Sequence, residues 1–287
     1  MLLYTDGVES RFLQKALLKA SAADQERYFQ EISHQALTVA SDVFGNFIIQ
    51  VLLEAKNPNV DSKLVQIIKP HMVDLSTRPY GCRVVQRALE TLSYDHKSFL
   101  ALSLEGSVES CAHNEHGNHV LQRCLLQLNA QDVAFIFHSI AHKTRTMSKD
   151  KYACRVVQKA IDPRHPNALA APVRRQIALY AVEFAFDEFA NFVVQKLLWI
   201  EAPDIVDTIV ERFIPYLMNM SCQKYPSNVV ETALDVCSSD TAQRLKRCIL
   251  GMDLPDNTPR LTSVIRDRFG RYVVEKLIKV KHPLHLK

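Results

Sequence analysis

A five-residue pattern recurs along the whole chain at a nearly constant spacing, and no other feature of the sequence constrains the fold as strongly. Its eight copies begin at residues 10, 46, 82, 118, 154, 191, 227 and 271, so the spacing is 36 or 37 residues except for a last step of 44. A fixed period of this length is typical of solenoids, in which each unit covers the apolar face of its neighbour. The sequence therefore predicts an all-α solenoid of eight repeats, which form one domain over residues 1–287.

The copy at Cys82 shows how the pattern fits a helix. At 100° per residue, Cys82, Arg83 and Gln86 share one arc, whereas Val84 and Val85 lie on the opposite side. We call the first, second and fifth residues of each copy the polar triad. The pattern predicts a helix that buries its apolar face and presents all three triad residues outward as a set.

Each repeat is predicted to contain three helices joined by tight turns. In repeat 2 we expect helices over residues 31–43, 46–55 and 61–68, with the middle one carrying the triad. An aromatic residue or His lies two positions before seven of the triads, and this position is interpreted as a packing site between repeats. Four of the seven glycines directly precede a triad, where a tight turn favours a residue with a free φ: Gly45, Gly81, Gly117 and Gly270.

Composition narrows the class of protein further. The chain has 47% apolar and 23% charged residues and a formal charge of +4, so affinity for an anionic partner depends on where the charges lie. Seven scattered cysteines without paired spacing indicate reduced thiols inside the cell. Neither a membrane-spanning apolar run nor a secretory signal is recognised. We therefore expect a cytoplasmic, monomeric protein that does not contact a membrane.

The triads offer the chemistry of single-stranded RNA recognition. The second residue is flat or amphipathic in seven repeats, which suits stacking on bases, and the first and fifth residues can hydrogen-bond to a base edge. The predicted RNA-binding residues, repeat by repeat, are Ser10, Arg11 and Gln14; Asn46, Phe47 and Gln50; Cys82, Arg83 and Gln86; Asn118, His119 and Gln122; Cys154, Arg155 and Gln158; Asn191, Phe192 and Gln195; Ser227, Asn228 and Glu231; and Arg271, Tyr272 and Glu275.

The residue types suggest which base each triad prefers. Asn with Gln supplies amide donors and acceptors that suit uracil, whereas Cys or Ser with Gln leaves room for adenine. Glu231 only accepts hydrogen bonds, which suits the two donors of guanine. Basic residues directly follow the triad in six repeats and are expected to place positive charge beside the RNA: Lys15, Arg87, Arg123, Lys159, Lys196 and Lys276.

The order and type of these triads resemble the Pumilio-homology (PUF) RNA-binding repeats over essentially the whole chain. The resemblance implies a crescent-shaped, right-handed superhelix of eight three-helix repeats that binds RNA antiparallel on its concave face, one base per repeat. Carried over by position, the triads would bind 5′-NGUAUAUA-3′, a sequence similar to the UGUA-type elements of mRNA 3′ untranslated regions. The resemblance also implies repression or decay of bound mRNAs through recruited deadenylase or translation factors.

This sequence departs from the family pattern in repeat 8, where Arg271 and Glu275 replace the usual Asn and Gln. Because these two residues are four apart on a helix, we expect an ion pair between them and a weak preference for U or G at the 5′ position. Nine residues precede the first triad and twelve follow Glu275, which leaves no room for the flanking half-repeats of the family or for an ordinary last helix.

Two other classes of function fit the sequence less well than RNA binding. A peptide-binding solenoid would not need Asn or Cys before a fixed Gln, although protein co-repressors are expected on the convex face or at the loop of residues 251–259. An enzyme or metal site is disfavoured, since neither the residues around Cys111, His113 and His116 nor the pair His138 and His142 completes a set of ligands. We expect no catalysis, no cofactor and no metal.

Overall fold

The computed structural model describes residues 7–252 and 260–279. These residues form helices and turns, and none of them lies in a β-strand. The chain divides into two compact units, Met1–His142 and Lys143–Lys287. A solenoid repeat contacts mainly its neighbours, so a division of this kind does not test whether residues 1–287 form one array. That single-domain assignment stays a prediction, and each unit is described by itself.

The first unit contains repeats 1 to 4. Its helices are α1 (Gly7–Lys19), α2 (Ala22–Ile32), α3 (Ala36–Ser41), α4 (Gly45–Glu54), α5 (Pro58–Ile68), α6 (Met72–Ser76), α7 (Gly81–Thr91), α8 (Tyr94–Ala101), α9 (Val108–His113) and α10 (Gly117–Gln127), with short 3-10 turns at Ser33–Gln35, Lys69–His71 and Leu102–Leu104. The next helix, α11 (Ala134–Ser148), extends across residue 142 and has non-helical angles at Lys143. Helices α1, α4, α7 and α10 carry the triads and pack side by side in sequence order.

The second unit contains repeats 5 to 8. Its helices are α12 (Ala153–Ala160), α13 (Asn167–Leu179), α14 (Ala181–Ala185), α15 (Ala190–Ile200), α16 (Pro203–Glu211), α17 (Leu217–Ser221), α18 (Pro226–Val236), α19 (Ser239–Leu250), α20 (Arg260–Arg266) and α21 (Gly270–Lys279), with a 3-10 turn at Ile214–Tyr216. Helices α12, α15, α18 and α21 carry the triads and again pack on one another in order.

The apolar positions of the triad helices form the core, as the pattern predicted. In repeats 2 to 7 all four such positions of the triad helix are buried, as Ile48, Ile49, Leu52 and Leu53 are in repeat 2. In repeat 1 only Leu17 of the four is buried, and in repeat 8 only Val273 and Leu277 are. Each such side chain contributes about 1.5–3 kcal/mol to folding through burial. The 36-residue period therefore reflects a core that continues from one repeat to the next.

The helix boundaries differ from expectation in repeat 2. The expected helix over residues 31–43 is wrong, because α2 ends at Ile32 and the turn at Ser33–Gln35 separates it from α3. The hydroxyl of Ser33 donates to the carbonyl of Gln30 at 2.9 Å and so satisfies one acceptor at the end of α2. The expected third helix begins three residues earlier, at Pro58, where the side chain of Asn57 accepts from the N–H of Asn59.

The glycines before the triads are required by close packing, and the free φ that the sequence suggested is not used. Within the described residues only Gly106 and Gly251 have a positive φ among the glycines. At Gly117, a Cβ would lie 2.6 Å from the carbonyl oxygen of Cys111, and contacts of 2.4–2.7 Å occur at the other three positions. Glycine therefore lets the triad helix approach the end of the preceding helix.

Candidate nucleic-acid interface

The three members of a triad differ in exposure. In repeats 1 to 7 the first residue is buried, the second is exposed and the fifth is half-buried. The expectation that all three point outward is therefore wrong for the first residue. Cys82, for example, is only 2% exposed, because its side chain turns back and donates from Sγ to the carbonyl of Pro79 at 3.3 Å. The buried first residues are Ser10, Asn46, Cys82, Asn118, Cys154, Asn191 and Ser227; the exposed second residues are Arg11, Phe47, Arg83, His119, Arg155, Phe192 and Asn228.

In the three Asn repeats, the first residue holds the fifth in place. The amide of Asn46 donates to the carbonyls of Asp42 and Val43 at 2.9 and 3.0 Å, which uses both of its hydrogens. Its Oδ1 then accepts from Nε2 of Gln50 at 2.8 Å. The same bonds recur for Asn118 with Gln122 and for Asn191 with Gln195. The Asn amide hydrogens are thus committed to the main chain, and the Gln amide provides the hydrogen-bonding groups nearer the surface.

The Ser and Cys repeats hold Gln differently. Gln14 donates to Oγ of Ser10 at 2.9 Å, and that hydroxyl donates to the carbonyl of Phe44 in the next repeat at 3.0 Å. Cys82 offers no side-chain oxygen, so Gln86 reaches its main-chain carbonyl at 3.1 Å. Burial raises the pKa of the Cys82 thiol and brings that of Cys154 to about 11. Both thiols are therefore neutral at pH 7 and act as small, weakly polar side chains.

Repeat 7 places a carboxylate where the other repeats have Gln. Glu231 is half-buried, and burial is the main reason that its pKa is raised; the charges of Asp235 and Glu275 add to the rise, and Lys276 opposes it. The hydroxyl of its partner Ser227 donates to the carbonyl of Lys224 at 3.3 Å. Two hydrogen bonds from N–H donors strongly stabilise a partly desolvated carboxylate, and the ring edge of guanine supplies two such donors.

Between the first two triads the surface forms a depression of about 350 Å³. Its walls are the triad residues Ser10, Arg11 and Gln14 together with Phe47, and Phe44 and Gly7 complete the lining. The guanidinium of Arg11 and the exposed ring of Phe47 both border the depression. A flat group that enters it can contact both of them and reach the amide of Gln14.

An acidic or amide residue four positions before the triad fixes the start of the triad helix, a feature that was not predicted from the sequence. Oδ1 of Asp187 accepts from the N–H groups of Phe189 and Ala190 at 2.9 and 2.8 Å. The same pair of bonds is made by Asp42, Asn114, Asp150 and Asp267 in repeats 2, 4, 5 and 8. Asp or Asn at this fixed offset was the sequence signal that could have revealed the cap.

The repeats of this chain match the model of a known protein family. The family model for the Pumilio-family RNA binding repeat matches residues 9–33, 71–103, 107–141, 144–162, 180–198 and 216–246, more than half of the chain. The chain belongs to the Pumilio family. The matched segments contain the triads of repeats 1, 3, 4, 5, 6 and 7.

Individual Pumilio proteins match over nearly the full chain. Pumilio homolog 12 of Arabidopsis thaliana is 29% identical over 273 residues, which is 94% of this chain and 45% of that protein. The solved structure of PUF-8 in complex with PBE-RNA superimposes with a TM-score of 0.90 at 26% identity, covering 97% of this chain and 81% of that one. The Puf3 RNA binding domain bound to the Cox17 RNA 3′ UTR recognition sequence gives 0.85 at 28% identity, covering 97% and 82%. The chain spans about two fifths of the length of the curated relatives it matches.

Repeat 8 lies outside the matched Pumilio segments, and its triad is arranged differently. Arg271, Tyr272 and Glu275 are all exposed. The expected ion pair between Arg271 and Glu275 is wrong: Arg271 donates to the hydroxyl of Tyr272 at 2.9 Å and lies over its ring, and Glu275 instead lies 3.9 Å from Lys279. Lys279 is four residues further along the helix, so Glu275 pairs away from the triad. The first residue of this repeat does not hold the fifth.

The basic residues that follow the triads form ion pairs between repeats. Arg87 contacts Glu54 of the preceding repeat at 3.2 Å, and Arg123 contacts Glu90 at 2.9 Å. Lys276 contacts Asp235 at 2.6 Å in the second unit. We call these pairs the ion-pair ladder. The positive charges of Arg87, Arg123 and Lys276 thus each have a carboxylate partner, and their expected position beside the RNA stays a prediction.

In repeat 6 the equivalent cation, Lys196, interacts at longer range with the carboxylate of Asp162 in repeat 5. Partial burial raises the pKa of Asp162, but hydrogen bonds and charge from Arg164, together with the charge of Lys196, lower it overall. The ladder pairs are partly exposed, so each contributes only about 0–1 kcal/mol. Where these pairs form, a carboxylate balances the positive charge on this edge of the triad helices.

The described residues do not support a metal site or a single membrane-spanning helix. Within residues 7–252 and 260–279, no group of three or more His, Cys, Asp or Glu side chains comes together to hold a metal ion. In the same part of the chain no single helix is long and apolar enough to cross a membrane; one pair, Ala22–Ser41 and Gly45–Glu54, passes on length and composition only, with a bend of 116°. The loop expected to bind protein partners falls largely on residues 253–259, outside the described residues.

Proposed function

We propose that this chain binds single-stranded RNA of the form 5′-NGUAUAUA-3′ in mRNA 3′ untranslated regions, with one base per repeat. The observation that carries the proposal is the repeated triad geometry, in which a buried first residue, an exposed second residue and a half-buried Gln or Glu recur in repeats 1 to 7. In the three Asn repeats the first residue bonds directly to the Gln. PUF-8 and Puf3, which share this fold, have structures with RNA, and the Puf3 RNA is a 3′ UTR recognition sequence.

The triad chemistry suggests how uracil is distinguished from adenine. In the Asn repeats the Gln amide is supported by a side-chain oxygen, and its Oε1 and second Nε2 hydrogen can pair with the N3–H and a carbonyl of uracil. In repeat 3 the Gln amide is drawn down to the main chain at Cys82, which leaves more room above the helix. The larger adenine fits that space and offers N1 and its amino group to the Gln amide.

Guanine is assigned to repeat 7. Glu231 accepts from the ring N–H and the amino group of guanine, and the small Ser227 beside it leaves space for the purine. The exposed second residues Phe47, Phe192, Arg83 and Arg155 provide the stacking surfaces, and such stacking contributes roughly 1–3 kcal/mol per base. Binding then combines stacking on the flat second residues with edge recognition by the fifth residue.

The biological outcome we infer is repression or decay of the bound mRNA, carried out in the cytoplasm by recruited proteins and without catalysis by this chain. A reporter mRNA with the element in its 3′ untranslated region, compared with one in which the G is replaced by C, tests this outcome. Expression of the chain should lower only the first reporter; equal levels of both would contradict it.

Selection of bound RNAs from a random pool, followed by sequencing, tests the binding proposal itself. The expected product is GUAUAUA preceded by an unspecified base. A matched variant, Gln122→Ala, should relax selection at the fourth of these seven positions and leave the others unchanged. Recovery of unrelated sequences, or of no RNA above background, would overturn the proposal.

A further inference from the structure

The two units carry opposite net charges although they are built from the same repeat. Residues 1–142 contain 12 Lys and Arg against 15 Asp and Glu, a net charge of −3, whereas residues 143–287 contain 23 against 16, a net charge of +7. The excess positive charge of the chain thus lies entirely in the unit that contains repeats 5 to 8. Charge asymmetry of this kind indicates a local anion-binding surface.

The ladder cannot provide that surface, because its cations face carboxylates. A different group of cations lies at the opposite, N-terminal ends of the last two triad helices. Lys224 lies 5.0 Å from the centre of the Tyr225 ring, Arg268 lies 5.4 Å from that of Phe269, and Arg271 lies 4.8 Å from that of Tyr272. All three are exposed. Cation–π contacts restrain the charges without neutralising them.

Carboxylates do not cancel these three charges in the part of the chain that the structure describes. Among residues 7–252 and 260–279, no ion pair is formed by Lys224, Arg268 or Arg271. The adjacent carboxylate of Asp267 is instead bonded to the N–H groups of Gly270 and Phe269, which lower its pKa. Asp267 also adds to the rise in the pKa of Cys222 that burial causes, so the turns before triads 7 and 8 lie next to each other.

The equivalent positions elsewhere in the chain lack this cluster. Three residues before the triad, repeats 2, 3, 4 and 6 have Val43, Pro79, Glu115 and Glu188, and only repeat 5 has another cation, Lys151. The first triad position is Ser, Asn or Cys in every repeat except the eighth, where it is Arg271. The cluster of three cations therefore belongs to repeats 7 and 8.

We propose that Lys224, Arg268 and Arg271 form a phosphate-binding surface for the RNA immediately 5′ of the guanine in repeat 7. This inference rests on the proposed RNA-binding function and on an antiparallel RNA. Guanidinium groups bind phosphate through paired N–H donors, and the Lys ammonium adds a point charge. Repeat 8 then holds the 5′ segment by the charge of its backbone, with little dependence on the base.

The test combines a neutralised RNA with a neutralised protein. The RNA carries two nucleotides 5′ of GUAUAUA, and the two phosphates 5′ of the G are replaced by uncharged methylphosphonates. The wild-type chain should bind this RNA about twofold to fivefold more weakly per phosphate, the range of an exposed ion pair. The variant Lys224→Gln/Arg268→Gln/Arg271→Gln should lose affinity for the native RNA and show no further loss with the neutralised one.

Salt dependence gives an independent readout. The triple variant should have a log–log slope of affinity against salt that is shallower by about 1.4, since each of the two phosphate contacts on a single strand contributes about 0.7. A control variant, Arg175→Gln/Arg244→Gln/Lys246→Gln, removes the same charge from other helices of the unit and should keep the wild-type slope to within about 0.5. A control RNA with methylphosphonates at its 3′ end should be equally weakened for the wild type and the triple variant.

The outcomes separate this inference from the function on which it rests. If the wild type tolerates the methylphosphonates, or if the triple variant keeps the wild-type slope, the phosphate-binding surface is wrong. A loss of U or G preference at the 5′ base in the triple variant, without a change in slope, would show base recognition by repeat 8 instead. If the native RNA does not bind in preference to a scrambled one, the proposed function itself fails.

Discussion

Repeats 6 and 8 lie in the same unit and begin their triad helices in the same way, yet their triads are built differently. Asp187 and Asp267 each cap the helix through two main-chain N–H groups, and Phe189 and Phe269 follow at the same position. The first residue is the fully buried Asn191 in repeat 6 and the exposed Arg271 in repeat 8. The scaffold of a repeat is therefore fixed by residues outside the triad, whereas the position of the fifth residue depends on a separate, buried support.

The support in repeat 6 acts on the fifth residue before RNA arrives. Gln195 donates from Nε2 to Asn191 at 2.9 Å. Its Oε1 also lies 3.3 Å from the hydroxyl of Thr232 in repeat 7, whose shorter bond is to the carbonyl of Asn228 at 2.9 Å. Ordering a free Gln or Glu side chain costs about 1.5–2 kcal/mol, and in repeat 6 most of this cost is already met on folding. Glu275 is not held by its own triad, so its side chain would have to be ordered when RNA binds, and this cost would weaken binding.

The largest expected effect comes from truncating the fifth residue in both repeats. Gln195→Ala should weaken binding to UGUAUAUA, which includes a 5′ base for repeat 8, by about 1–3 kcal/mol, the range of a bidentate base contact. Glu275→Ala should change it by less than about 0.5 kcal/mol, because Glu275 is exposed and unsupported. Equilibrium titrations with one labelled RNA give both values. Equal losses in the two variants would show that the buried support does not matter.

Much of this contrast was accessible from the sequence. The 36-residue period, the buried apolar positions and the triad residues follow from spacing and helix geometry, and Arg271 already stood out from the small or amide residues at the same position. The caps were also accessible, because Asp or Asn recurs four residues before the triad in repeats 2, 4, 5, 6 and 8.

Other parts depended on packing that a helical projection does not contain. The projection placed Cys82 on the outward arc, but the side chain at the start of a helix can fold back to the preceding turn, as its bond to Pro79 shows. The ladder joins side chains 33 or 41 residues apart, Arg87 with Glu54 and Lys276 with Asp235 for example, and such partners are set by the stagger of neighbouring helices. The partner of Arg271 could not be predicted either, because Tyr272 and Glu275 are both within reach on the helix; Arg271 bonds to Tyr272.

A gain of recognition in repeat 8 would sharpen the comparison. In the variant Arg271→Asn/Glu275→Gln, the introduced Asn side chain is expected to bond to the carbonyls of residues 267 and 268, as Asn191 does to those of 187 and 188. The preference for U over A at the 5′ position should then rise about tenfold, which corresponds to about 1.4 kcal/mol. Competition between RNAs that differ only in that base measures the change. An unchanged ratio would mean that the scaffold of repeat 8, and not its triad, prevents recognition.

Removing the caps should affect the two repeats alike. Asp187→Ala and Asp267→Ala each leave two helix N–H groups without their acceptor, and each should lower the free energy of unfolding by about 1 kcal/mol. Denaturant titration of both variants provides the values, and the base preferences of the bound RNA should not change. A cost at Asp187 alone would contradict the shared scaffold.

The smallest effect concerns pH and Glu231. Because burial raises its pKa, this side chain takes up a proton at a higher pH than an exposed Glu, and the neutral form is a poorer partner for the two donors of guanine. The preference for G over U should therefore narrow by a few-fold, roughly 0.5 kcal/mol, as the pH falls from 7 to 5. The variant Glu231→Gln should show no such narrowing. A preference that widens at lower pH would contradict this role of the carboxylate.

The central claim is that the first and fifth residues of a triad select the base, and an exchange between repeats tests it most directly. The variant Ser227→Asn/Glu231→Gln gives repeat 7 the pair found in repeat 6, while Asn228 and the rest of α18 remain. The affinities of the wild type and this variant are measured for GUAUAUA and for UUAUAUA. The account predicts that the preference inverts from G to U, by about 1–3 kcal/mol in each direction. A variant that still prefers G, or that weakens equally for both RNAs, would contradict it.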